Sequence, residues 1–258
     1  MKITSLLENT TERPDVKTEH GLSLYIETEQ HKILFDMGQT ELFSENARTL
    51  GIDLAEVDIA LLSHGHYDHG GGLRRFLEIN NRAPVYVNCR AFGRYYNGTE
   101  KYIGLDYSLK DHPQILFTDG EYRIDGTLSL FSCNEKERKY ELGDFGLTES
   151  VDDGFIPDSF LHEQYLLIKE NGKEVLISGC SHKGALNIAE WFTPDVFVGG
   201  FHFSKLPTDR ALAQYAEVLA RLKTEYYTCH CTGKEQFEFM KKIMPTLYYL
   251  PCGKTVVI

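Results

Sequence analysis

Three histidines and one aspartate fall within the six positions His64-Gly65-His66-Tyr67-Asp68-His69. Neutral imidazole is a good nitrogen ligand for zinc or iron and carboxylate a good oxygen ligand, so this spacing points to a metal site. A cluster this dense is costly to bury without a cation. Three more histidines stand where an apolar stretch ends: His182 after residues 173–178, His202 after 195–200, and His230 after 225–228. Open α/β architectures gather ligands at the carboxyl ends of their strands, and the recurrence strengthens the metal assignment. A first ion on His64 and His66 needs one distant partner, and a second on Asp68 and His69 needs another. His182 and His230 are expected to fill these places. A bound metal lowers the pKa of water from about 15.7 toward about 7, and Asp68 is expected to orient the resulting hydroxide as well as to bind metal. His202, between Phe201 and Phe203, is expected to contact substrate or to serve as acid for the leaving group. Zinc, as one or two ions, is the expected cofactor, with iron or manganese as alternatives.

The elements that carry these residues follow from hydrophobic pattern. Residues 58–62 read as a strand and 73–79 as a helix, so His64 to His69 occupy a strand-to-helix turn. Gly65 and the run Gly70-Gly71-Gly72 give that turn the freedom to aim four side chains at one point. Upstream, residues 2–7 read as a strand, 22–26 and 32–35 as a hairpin pair, and 40–50 as a helix. His20 and His31 flank the hairpin: either could approach a site, but a lone histidine beside a strand is more often a surface or core residue. Downstream, 84–87 reads as a strand, and 164–168 with 173–178 as a hairpin turned at Asn171-Gly172, the strongest short-range hairpin signal. Helices are expected at 185–192, after a cap at Thr208 or Asp209, and at 236–244, with strands at 195–200 and 225–228 between them. From residue 89 to 160 the pattern degrades into aromatic residues interspersed with Gly and Asp, and only 127–131 reads as a strand. This segment is either an insertion whose aromatics line a pocket for a flat ligand, or a cover and subunit contact. One domain over residues 1–258 accommodates all of these elements.

At these residues the chain resembles the metallo-β-lactamase superfamily. The stretch His64 to His69 is similar to its signature, and Ile33-Leu34-Phe35-Asp36-Met37-Gly38 looks like the strand and turn that precede it. Gly179-Cys180-Ser181-His182 and Cys229-His230-Cys231-Thr232-Gly233 resemble later marks of a subgroup of metal-dependent hydrolases and dihydropterin-type synthases. The resemblance implies an α/β fold, a four-layer αββα sandwich holding one or two metal ions at one edge of its sheets. For Asp36 it implies support of the metal ligands, the alternative being a cap on the helix at 40–50. The chain departs from the family at Cys180, where most members carry a bridging aspartate. Thiolate binds zinc strongly, so Cys180 either coordinates or packs behind His182; the longer reach of imidazole favours His182 as the ligand. Asp152-Asp153 or His162-Glu163 are alternative sources of the group that the missing aspartate supplied.

Composition narrows the function. A net charge of −11 without a basic run argues against a nucleic-acid surface. No apolar stretch approaches the roughly 18 residues of a membrane span. Cysteines beside histidines suit a reducing compartment, so the cytoplasm is expected. With no phosphate-binding P-loop, nucleoside triphosphate chemistry has no support. The expected partner is a small-molecule substrate, and the leading function is metal-dependent hydrolysis of its ester or phosphoester bond. The alternatives are a dihydropterin-type transferase that condenses with loss of pyrophosphate, and a non-catalytic metal-bound sensor.

Overall fold

Strands buried on both faces read as continuous apolar runs, whereas half-exposed ones alternate, and the computed structural model of the protein follows that division. It describes residues 1–152 and 154–258, so Asp153 lies outside the described residues. The chain divides into two units whose segments interleave: residues 1–119, 146–164 and 251–258 form one, and residues 120–145 and 165–250 the other.

In the first unit a seven-stranded sheet runs in the order Thr255–Val257, Lys2–Leu7, Ser23–Glu27, Lys32–Phe35, Ile59–Leu61, Val85–Asn88, Ile115–Thr118. Its first four strands pair antiparallel, and parallel pairing begins where Phe35 meets Leu61. Ile59–Leu61 and Val85–Asn88 are wholly buried, as interior parallel strands must be. The helices Leu42–Thr49 and Leu73–Ile79 send Phe43, Ala47, Leu73 and Phe76 into one core with Leu34, Ala60 and Val87 from the sheet. Burying each large apolar side chain there contributes about 2 kcal/mol.

The second unit carries another seven-stranded sheet: Leu247–Tyr249, Glu225–Thr228, Val196–Gly199, Lys173–Ile177, Tyr165–Glu170, Leu128–Phe131, Glu121–Arg123. The four strands from Leu247–Tyr249 to Lys173–Ile177 are parallel, and the rest pair antiparallel. The hairpin turn forms at Asn171 and Gly172, both at positive φ (53° and 76°), as a type I′ turn requires. On the helix Arg210–Arg221, Asp209 caps the amides of Ala211 and Leu212, and Leu212, Ala216 and Leu219 recur at helical spacing on the buried face. Ala185–Phe192 and Lys234–Lys241 pack into the same core.

The segment 89–160 contains more structure than its sequence pattern suggests. The strand expected at 127–131 forms as Leu128–Phe131 in the second unit. Tyr95–Asn97 and Lys101–Tyr102 join Leu147–Val151 and Gly154–Pro157 in a small antiparallel sheet of the first unit. These strands are two to five residues long and largely exposed, so apolar alternation has little to register.

Candidate metal centre

The strand Ile59–Leu61 ends in Leu62 and Ser63, and the chain then turns sharply before the short helix Tyr67–Gly70. Gly65 is required at the turn: a Cβ there would stand 2.2 Å from the carbonyl oxygen of Ala91. This close passage brings His64, His66 and His69 together, with ring centroids 4.6 Å apart for His64 and His66 and 4.1 Å for His64 and His69. The three imidazoles and Asp68 are buried.

Oxygen acceptors fix which nitrogen of two of these rings carries the proton. Asp36, at the end of Lys32–Phe35 and with φ of 59°, points its carboxylate into the turn. Its Oδ1 accepts the Ser63 amide and its Oδ2 the Ser63 hydroxyl, each at 2.7 Å. The same Oδ2 lies 2.7 Å from His69 Nδ1, which therefore donates and leaves the His69 lone pair on Nε2. Ser63, its proton given to Asp36, accepts from His64 Nδ1 at 2.8 Å, so the lone pair of His64 is likewise on Nε2. Asp36 thus supports the candidate ligands His64 and His69, through Ser63 and directly, and the helix Leu42–Thr49 starts without it, at Glu41.

The donor chemistry fits a cation. Asp68 Oδ2 and His69 Nε2 lie 3.6 Å apart, two lone-pair atoms facing each other in a buried place. Ligands at about 2.1 Å from a tetrahedral ion stand roughly 3.4 Å from one another, so this is the spacing of two ligands on one metal. His20, expected to be an ordinary residue, lies with Nε2 3.3 Å from Asp68 Oδ2 although its side chain is exposed.

Sequence reasoning missed Asp158. The segment 146–164 brings its fully buried carboxylate to the turn, 3.1 Å from His162 Nε2 and 3.4 Å from His66 Nε2. The signal in the sequence was its place four residues ahead of His162, which was named as a substitute source. Burial raises the Asp158 carboxyl, but the hydrogen bonds from His162 and His66 outweigh it and hold the group well below the usual carboxylate range. Burial pushes the His162 imidazole down, against the pull of Asp158. Asp152 sits exposed in the turn that joins Leu147–Val151 to Gly154–Pro157.

In the second unit the remaining site residues cluster at the carboxyl ends of the parallel strands. Donor atoms of Cys180, His230 and Cys231 lie within 4.8 Å of one another, all buried. His182 stands with its ring 4.4 Å from that of His202, which meets Phe145 edge-on at 4.7 Å. Backbone conformation places these groups: Ser181, His202 and His230 all take positive φ, at 58°, 56° and 50°. Thr232 accepts the Phe201 amide at 2.8 Å and shares a hydrogen bond with Thr228, tying two strand ends together. Gly200 lacks the Cβ that would stand 2.4 Å from Cys231 Sγ.

Fold and turn together define an α/β protein with a candidate metal-binding turn. The chain belongs to the metallo-β-lactamase superfamily, whose family model matches residues 16–222. An uncharacterised protein of Methanocaldococcus jannaschii is 30% identical over 227 residues, 83% of this chain and 84% of that one. From the same organism, a protein named 7,8-dihydropterin-6-methyl-4-(β-D-ribofuranosyl)-aminobenzene-5′-phosphate synthase is 26% identical over 267 residues, 93% of this chain and 90% of its own. Among solved structures, Tm1679, described as a metal-dependent hydrolase of the β-lactamase superfamily, matches with a TM-score of 0.85 and 28% identity, covering 100% of this chain and 99% of that one. The expected metallo-β-lactamase fold is therefore the observed one. No helix among the described residues is long and apolar enough to cross a membrane.

Proposed function

We propose that this protein is a metal-dependent hydrolase that cleaves an ester or phosphoester bond of a small molecule. The observation that carries the proposal is the proton arrangement of the turn: Asp36 and Ser63 hold His69 and His64 with Nε2 as the lone-pair atom, and His69 Nε2 lies at ligand spacing from Asp68. His64, His66, Asp68 and His69 would be metal ligands, as would His182 and His230, with one or two ions per chain, zinc first and iron or manganese as alternatives. A bound ion supplies Lewis acidity and an acidified water at neutral pH. Asp68 orients the attacking oxygen through its carboxylate. His202, half-buried against Phe145, gives a proton to the leaving group. The substrate is a small molecule, the cytoplasm its compartment, and neither nucleic acid nor membrane is a partner.

The relative named as a dihydropterin synthase favours a second reaction, a condensation in which a pyrophosphate group leaves. One experiment separates the two. The protein is incubated with zinc, manganese or iron and with panels of carboxylic esters, phosphomonoesters and phosphodiesters, and separately with a dihydropterin pyrophosphate and an arylamine acceptor. Hydrolysis that a chelator abolishes supports the proposal, and pyrophosphate release that requires the acceptor supports the second reaction. Metal-loaded protein that turns over no ester or phosphoester would sink the hydrolase assignment.

A further inference from the structure

The side chain of Asp158 is fully buried beside the metal turn, and the proposed function gives it no task. Its Oδ1 accepts the Phe160 amide at 2.7 Å, which leaves Oδ2 toward two imidazoles. Proton positions follow in sequence. The Gly65 amide donates to His162 Nδ1 at 2.9 Å, so Nδ1 is an acceptor and neutral His162 keeps its proton on Nε2, donating it to Asp158 Oδ2. The His162 ring cannot swing away, because Tyr95 packs on it at 3.9 Å between centroids. His66 Nε2 faces the same carboxylate oxygen. A lone pair there would oppose a buried anion, whereas an N–H makes a hydrogen bond, so the proton of His66 is on Nε2.

We infer that Asp158, held in place by His162, is a positioning residue that fixes the Nε2–H form of His66 and so leaves Nδ1 as the atom His66 would offer a metal. His66 thereby differs from His64 and His69, whose acceptors lie on Nδ1 and whose lone pair is on Nε2. Carboxylate partners of this kind also raise ligand basicity, and their loss weakens metal affinity by about 10- to 100-fold. The affinity part of the inference rests on the metal site proposed above; the proton position does not.

The test has two arms on the full chain. Nitrogen-15 NMR of the metal-free protein, at a pH where the imidazoles are neutral, is expected to show His66 protonated at Nε2, and protonation at Nδ1 overturns the inference. Zinc affinity by chelator competition is expected to fall about 10- to 100-fold in Asp158→Ala. In Asp158→Asn, which keeps an acceptor oxygen, it should lie between that variant and the wild type. Zinc binding at wild-type strength in a folded Asp158→Ala variant, even one of lower thermal stability, assigns Asp158 a structural role and overturns the inference. If the alanine variant does not fold, the NMR arm and the asparagine variant decide. A wild type that binds no zinc refutes the proposed metal site instead, and leaves the NMR arm to judge Asp158.

Discussion

The turn at His64 to His69 and the strand ends at Cys180, His202 and His230 both gather histidines, by different means. In the first unit the side chains are set by other side chains: Asp36, Ser63 and Asp158 face the imidazole nitrogens that carry protons. In the second unit Ser181, His202 and His230 take positive φ, and the threonine pair at 228 and 232 clamps the strand ends. A carboxylate that fixes a proton selects a ring nitrogen as well as a direction, whereas a strained backbone fixes direction alone. The first cluster therefore presents ring nitrogens whose proton positions are set by neighbouring side chains, and the second presents residues whose direction is set by the backbone.

The comparison breaks most visibly when one imidazole is removed from each side. His66→Ala and His182→Ala are both expected to reduce turnover to background while circular dichroism keeps the wild-type fold, since ligands at strand ends serve the metal more than the core. Cys180→Ser is expected to retain its metal. Loss of metal in the cysteine variant, with His182→Ala still loaded, would reverse the roles of those two residues.

A smaller effect separates the two glycines. Alanine at 65 collides with the carbonyl of Ala91, a backbone atom that cannot step aside, and is expected to lower stability by about 1–3 kcal/mol. Alanine at 200 meets the Cys231 thiol, and its nearest backbone atom, the Gly179 carbonyl oxygen, stands at 3.0 Å rather than 2.2 Å, so it is expected to cost less. Denaturant unfolding of both variants checks the order, and a larger loss for Gly200→Ala would contradict it.

The smallest effect is a pH dependence. Burial keeps His162 neutral in the folded chain, its imidazole pushed down from the ordinary value, while the unfolded chain takes up that proton below about 6.5. The unfolded state then binds more protons, so the contribution of His162 to the stability of the metal-free protein is present above that pH and is lost as pH falls through it. His162→Gln is expected to shrink the difference between unfolding midpoints at about pH 7.5 and about pH 5.5, either side of the ordinary histidine value. An unchanged difference would show that His162 does not carry it.

Much of the first cluster was legible because its residues are close in sequence: four potential ligands in six positions, between an apolar strand and a glycine run, declare themselves without a fold. The strands 2–7 and 225–228 and the helix 185–192 were legible for a similar reason, since their apolar pattern is local. Asp158 was not, because it is 92 residues from His66 and sits in a segment of short exposed strands where periodicity fails. His20 was unremarkable as a lone histidine, and only folding brings it to Asp68. The role of Asp36 was open between cap and support, and three hydrogen bonds at 2.7 Å decide it.

The most direct test of the central claim is elemental analysis of the gently purified protein, repeated after incubation with zinc, manganese and iron. Two ligand sets predict about one to two transition-metal ions per chain, with the amount reduced in His66→Ala. Protein that remains metal-free with all three ions would contradict the claim that these histidines and Asp68 form a metal centre.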